Sequence, residues 1–81
     1  MSMSTEDLNR LRTLWSELLS CGEVTDEADF FDCGGTSVLA VHLAALVQEH
    51  FGVPVDAIEV VVERRLDRIA ALIGQRRAAV S

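Results

Sequence analysis

Apolar residues recur at three- and four-residue spacing in three separate segments of this 81-residue chain. Leu8, Leu11, Trp15, Leu18 and Leu19 make the first stripe, Leu39, Leu43, Leu46 and Val47 the second, and Leu66, Ile69, Ala70 and Ile73 the third. That period places each set on one face of a helix, and three such faces can be buried only against one another. A chain this short buries about 60% of its unfolded surface, enough for one core. The expected fold class is therefore all-α: a small bundle of three main helices plus one short helix. It forms a single domain over 1–81, with 1–4 a loose N-terminus and 75–81 a frayed C-terminal end. There are no internal repeats and no low-complexity segment.

The punctuation between the stripes agrees. Ser4 followed by Glu6 and Asp7 is a helix start, and Gly22 reads as the C′ residue that ends the first helix. Gly52 caps the second helix, and Pro54 holds Val53 extended. Asp56 opens a short apolar stretch, Ala57 to Val62, rich in β-branched residues. Its pattern permits a strand, but no second strand exists to pair with it, which favours a short helix. Arg76 and Arg77 suit the negative end of the last helix.

Counting 100° per residue from Ser37, the core side of the second helix takes Leu39, Leu43, Leu46, Val47 and His50, with His42 near it. Val38, Val41 and Ala45 fall on the opposite side, close to Ser37. An apolar strip on a face that should be polar reads as a docking surface. The competing reading is a central helix covered on both sides. Trp15 reads as a core anchor, and the histidines as packed residues.

The net charge is −6, unevenly spread. Residues 1–63 carry 12 of the 13 acids and only Arg10 and Arg12, whereas 64–81 carry Asp67 against Arg64, Arg65, Arg68, Arg76 and Arg77. An acidic body repels nucleic-acid phosphates and suits partners with basic docking surfaces. No apolar run is long enough to span a membrane and no basic segment leads into an apolar one as in a signal peptide, so the expected location is cytoplasmic. Cys21 and Cys33 are too few for a disulfide framework and lack metal-ligand spacing, so no metal site is expected.

Residues 23–36 are acidic and without period, a long loop that Val24, Phe30 and Phe31 can pin to the core. The loop ends in Asp32-Cys33-Gly34-Gly35-Thr36-Ser37. Two glycines allow close approach of another molecule, and Thr36 and Ser37 bring hydroxyls to the start of a helix. Cys33 reads as a small apolar plug. Ser37 is not the serine of a hydrolase elbow, since Leu39 stands where a glycine is required, and His42 points away from it. Nor is this a Walker loop, which needs a lysine and wider glycine spacing. What stays open is a serine presented as acceptor of a covalent group, with its phosphate at the positive end of a helix, or a serine that only caps the helix.

Asp29-Phe30-Phe31-Asp32-Cys33-Gly34-Gly35-Thr36-Ser37-Val38-Leu39 closely resembles the carrier-site signature of peptidyl carrier proteins, the thiolation domains of nonribosomal peptide synthetases. The resemblance runs from about Leu8 to Ile73. It implies that a phosphopantetheinyl transferase joins 4′-phosphopantetheine from coenzyme A to Ser37, within the site loop Gly34, Gly35 and Thr36. An aminoacyl or peptidyl thioester on that arm would be loaded by an adenylation enzyme. It would then be passed to condensation, tailoring or thioesterase enzymes in nonribosomal peptide or related secondary-metabolite (antibiotic) biosynthesis. The carrier would be a monomer without turnover of its own, bound to neither nucleic acid nor membrane. By the same resemblance Val38, Val41, His42, Val60 and Val61 form the partner face. The reading from another class is a non-catalytic helical interaction module in which Ser37 is only an N-cap.

The chain departs from the family pattern at two places. Thr36 stands where histidine is usual. Arg64-Arg65 replaces a Pro-Thr pair, so the short and last helices are expected to be joined or re-angled. Met1 and the lack of linker composition favour a free-standing carrier over an excised domain.

Overall fold

The structure, a computed structural model, describes residues 4–22 and 24–80, with side chains through residue 77. Of the expected loose start, 1–4, residues 1–3 lie outside the described residues and Ser4 is the N-cap of α1. Four helices follow in order: α1 Thr5–Leu19, α2 Ser37–Phe51, α3 Ala57–Glu63 and α4 Leu66–Val80. No strand forms among the described residues; one antiparallel bridge joins Asp29 to Arg65. The bundle of three main helices and a short one is the expected architecture, about 33 × 24 × 19 Å.

Each boundary has a chemical cause. Ser4 is extended and its Oγ accepts from the Asp7 N–H at 3.2 Å, satisfying one orphan donor of α1. α1 stops earlier than Gly22 suggests. The left-handed residue is Ser20, at φ 52°, and the Ser16 hydroxyl takes up the next carbonyl by donating to Cys21 O at 2.6 Å. Gly52 does take the left-handed conformation at the end of α2, φ 68°. In the extended link that follows, Val53 and Val55 alternate into the core while Pro54 faces out. α3 is helical, and the Glu59 carboxylate reaches back to accept from the Asp56 N–H at 3.1 Å.

The core joins all four helices. Leu11, Leu14 and Trp15 of α1 meet Ala40, Leu43, Ala44, Val47 and Phe51 of α2, Val60 of α3, and Leu66, Ile69 and Ile73 of α4. The buried face of α2 is turned by about 70° from the leucine-centred face read in the sequence. Ala40, Ala44 and Phe51 are inside, Leu39 and Leu46 only half-buried at the flank, and His50 and His42 exposed. Alanines allow close helix approach, so they take the centre of the contact, and the longer leucines cover its edge. Val38, Val41 and Ala45 face solvent as expected, and α2 is not covered on both sides.

The last helix runs Leu66–Val80, and two arginines near its end, within the stretch 75–81, carry ties to the rest of the bundle. Arg76 donates to Pro54 O and Glu59 Oε1, both at 2.8 Å, and also pairs with Glu59 Oε2. Arg77 pairs with Asp7 of α1 at 2.5 Å. α3 and α4 are not joined. Arg64 takes φ 64° and its N–H closes on Val60 O at 2.9 Å, ending α3 without a proline.

The Arg76 guanidinium holds the Glu59 carboxyl below the usual carboxylate range, helped by the Asp56 N–H, and Arg77 does the same for Asp7. A depressed folded pKa means that the unfolded chain takes up protons first. This stabilisation is present above the ordinary carboxylate pKa of about 4 and is lost as pH falls through the lower folded values. The thermal midpoint should hold down to about pH 5 and fall below about pH 4. Glu59→Gln should flatten that fall; an identical pH profile in the variant would remove Glu59 from the account.

Candidate functional site

The loop before α2 is built around Phe30. Its ring is fully buried and meets Trp15 edge-to-face at 5.3 Å and 87°, and Phe31 at 5.7 Å and 89°. Val24, Phe31 and Cys33 pack half-buried against the same core, so the expected pins and plug are in place. Burial, and then a hydrogen bond with the Cys33 thiol, pushes the Cys21 thiol up, which keeps it protonated and unreactive.

Asp29 organises the turn that follows. Its Oδ1 accepts from the Phe31 N–H at 2.9 Å and the Asp32 N–H at 3.2 Å, while its carbonyl accepts from the Cys33 N–H at 3.0 Å. Burial works to raise the Asp29 pKa, but these N–H groups and Arg64 outweigh it and hold the carboxyl below its usual range. The two glycines do different work. Gly34 sits at φ 96°, a conformation closed to ordinary side chains, with open space where a Cβ would go. Gly35 needs room instead: a Cβ there would collide with the Phe30 ring and the Phe30 carbonyl oxygen, to which the Gly35 N–H donates at 2.9 Å.

The chain then enters α2, and the two hydroxyls separate in role. Thr36 is the N-cap: it is extended, at φ −130° and ψ 172°, and its Oγ1 accepts from the Leu39 N–H at 3.2 Å. Ser37 is the first helical residue, exposed, and among the described residues its hydroxyl has no hydrogen-bond partner. Ser37 is therefore not the cap that the interaction-module reading requires. No acid lies in the first turn of α2, whereas α1, α3 and α4 each carry at least one there. A phosphodiester on Ser37 would meet the helix's positive end with no carboxylate competing in that turn. Nothing at Ser37 supplies a general base, and no metal-binding cluster exists among the described residues.

α2, which begins at the site, and α3, which packs against it, both turn apolar side chains outward. Val38 and Val41 on α2 are 68% and 56% exposed, and Ile58 and Val62 on α3, which packs against α2, are 65% and 67% exposed. The two α3 residues expected on the partner face, Val60 and Val61, are not the exposed ones. Val60 is fully buried, because its azimuth on the seven-residue helix faces the core, and Val61 is half-buried. His42 is exposed beside the α2 residues. With Asp56 as N-cap, the i, i+4 spacing of Ile58 and Val62 was the available signal for the outward pair.

Residues 9–73 match the protein family described as "Phosphopantetheine attachment site". The chain is 36% identical over 75 residues to a chondramide synthase of Chondromyces crocatus, covering 84% of this chain. It is 34% identical over 79 residues to a polyketide synthase-nonribosomal peptide synthetase of Pyricularia grisea, covering 86%. It spans 2% of the length of each. Among solved structures, a complex titled as an extended docking domain complex of the Pax NRPS, PaxA T1-CDD/PaxB NDD, superposes with a TM-score of 0.86. That likeness covers 95% of this chain and 74% of the other at 19% identity, a likeness of fold.

Replacing Thr36 by alanine should cost about 1 kcal/mol in urea denaturation, as loss of a cap does, and Ser37→Ala no more than a few tenths. Equal costs would return the capping role to Ser37. Gly35→Ala should cost about 1–3 kcal/mol, because the Phe30 ring and backbone must move. A neutral result would show that Phe30 is not fixed as described.

Proposed function

The chain belongs to the phosphopantetheine attachment-site family, and on that premise we propose that Ser37 is the acceptor of the 4′-phosphopantetheine arm. The domain then carries aminoacyl or peptidyl thioesters in nonribosomal peptide or related secondary-metabolite biosynthesis. The observation that carries this reading is the division of labour at the head of α2. Thr36 satisfies the helix, which leaves the Ser37 hydroxyl exposed, unpaired among the described residues and at the positive helix end.

The arm, when attached, supplies a terminal thiol that holds the acyl group as a thioester. This chain's own residues provide the setting. Gly34 and Gly35 keep the approach to Ser37 free of side chains at those two positions, and the positive helix terminus would favour the phosphodiester's charge. In the modification, the Ser37 oxygen attacks the pantetheine-bearing phosphorus of coenzyme A. The phosphoanhydride bond breaks, the adenosine bisphosphate leaves, and the serine proton passes to a base supplied by the phosphopantetheinyl transferase. The chain is a substrate in that step. An adenylation enzyme would load the arm, and condensation, tailoring or thioesterase enzymes would take the acyl group on. A cytoplasmic monomer suits such traffic, and no described helix is long and apolar enough to cross a membrane. Val38, Val41, Ile58 and Val62, with His42 and Val61 beside them, give partners an apolar surface on an acidic body.

The test is intact mass after incubation with coenzyme A, magnesium and a promiscuous phosphopantetheinyl transferase. Wild type should gain one phosphopantetheine group, and folded Ser37→Ala none. A folded wild type that gains nothing, or a variant still modified, would refute the assignment.

A further inference from the structure

The segment that presents Ser37 is tied to the α3–α4 junction, and one side chain grips it from two directions. Arg64 Nε lies 3.2 Å from Asp29 Oδ2, and Nη2 lies 3.5 Å from Asp29 Oδ1. The guanidinium carbon stands 5.1 Å from the centre of the Phe31 ring, within cation–π range. Asp29 is also the residue whose carboxylate receives the Phe31 and Asp32 N–H groups. Asp29 O, Phe31 O and Phe30 O then accept, in turn, from the N–H groups of Cys33, Gly34 and Gly35. Every hydrogen bond in the turn leading to Thr36 and Ser37 therefore starts from the three residues 29–31, and Arg64 holds two of them. Arg64 does so from a positive φ that arginine seldom adopts.

Resting on the assignment of Ser37 as acceptor, we propose that Arg64 is a positioning residue for that modification. Its guanidinium keeps the 29–35 turn, and through it Ser37, in the pose that the transferase engages. The main-chain ties at the same junction do not need its side chain: Phe30 N–H donates to Arg64 O at 2.7 Å, Leu66 N–H to Ala28 O at 3.0 Å and Asp67 N–H to Asp26 O at 2.8 Å. The bundle and its apolar docking residues therefore outlast the loss of the guanidinium, and the effect falls on the step after docking.

The test is steady-state phosphopantetheinyl transfer to the full chain, with the wild type beside Arg64→Met, Asp29→Asn, the double variant and Arg64→Lys. Asp29→Asn keeps an oxygen for the Phe31 and Asp32 N–H groups and removes only the charge. Because Arg64 is half-exposed, its removal should lower kcat about fivefold, with KM for the carrier within about twofold. Asp29→Asn should match it, the double variant should add nothing, and lysine, which keeps charge without the flat stacked plate, should restore part. Amide hydrogen exchange supplies a readout apart from transfer. The Cys33 and Gly35 N–H groups should exchange several-fold faster in Arg64→Met, with the Val47 N–H unchanged. A role confined to stability would lower the melting temperature while leaving kcat and the Gly35 exchange of the folded protein untouched. That result, or simple additivity in the double variant, overturns the proposal. A folded wild type that accepts no phosphopantetheine removes the acceptor assignment itself, and the proposal with it.

Discussion

Burial of the Phe30 ring is the interaction on which the rest depends. A loop residue with no exposed surface must find its partners in other elements, and Phe30 finds Trp15 of α1 on one side and the bare backbone of Gly35 on another. A large aromatic in that position is worth several kcal/mol, a substantial share of the stability of a domain this small. The thirteen described positions between α1 and α2 beyond Glu23 are consequently shaped by the core, although they are not part of any helix. Gly35 is a glycine because of Phe30, and the entry of α2 lies where Gly35 puts it.

The α3–α4 junction answers the same loop from the other side. Its main-chain hydrogen bonds to residues 26, 28 and 30 are a short imitation of strand pairing inside an all-helical protein, with the Asp29 to Arg65 bridge at its centre. This gives buried or half-buried loop N–H and C=O groups partners that no helix could supply. It also explains how α3 ends without a proline. Arg64 bends because its N–H, its carbonyl and its guanidinium all have partners in the bent state.

Much of this was legible in the sequence. The three stripes located α1, α2 and α4, the signature located the loop and its serine, and the lack of a second strand decided α3. Three things were not legible, for related reasons. The face of α2 was read from its leucines, whereas packing selects by shape and put Ala40 and Ala44 at the centre. Val60 and Val62 look alike in a β-branched run, and only the azimuth fixed by the Asp56 cap sends one inward and the other out. The contacts of Arg64 join residues 35 positions apart, and no local pattern records such a pairing. The partners of Arg76 and Arg77, which are Pro54, Glu59 and Asp7, are likewise distant in sequence.

On the proposed assignment of Ser37 as acceptor, the separation of cap from acceptor at the head of α2 has a genetic consequence. Since Thr36 secures the helix, a chain that loses the Ser37 hydroxyl keeps its fold, and its outward valines and isoleucine are unaltered. Such a chain would escape proteolytic clearance and occupy the same enzymes as its functional counterpart without ever bearing cargo. Loss of Ser37 would then behave as a dominant lesion, poisoning a mixed population. Loss of Phe30, which would remove a substantial share of the stability, would behave as a recessive one.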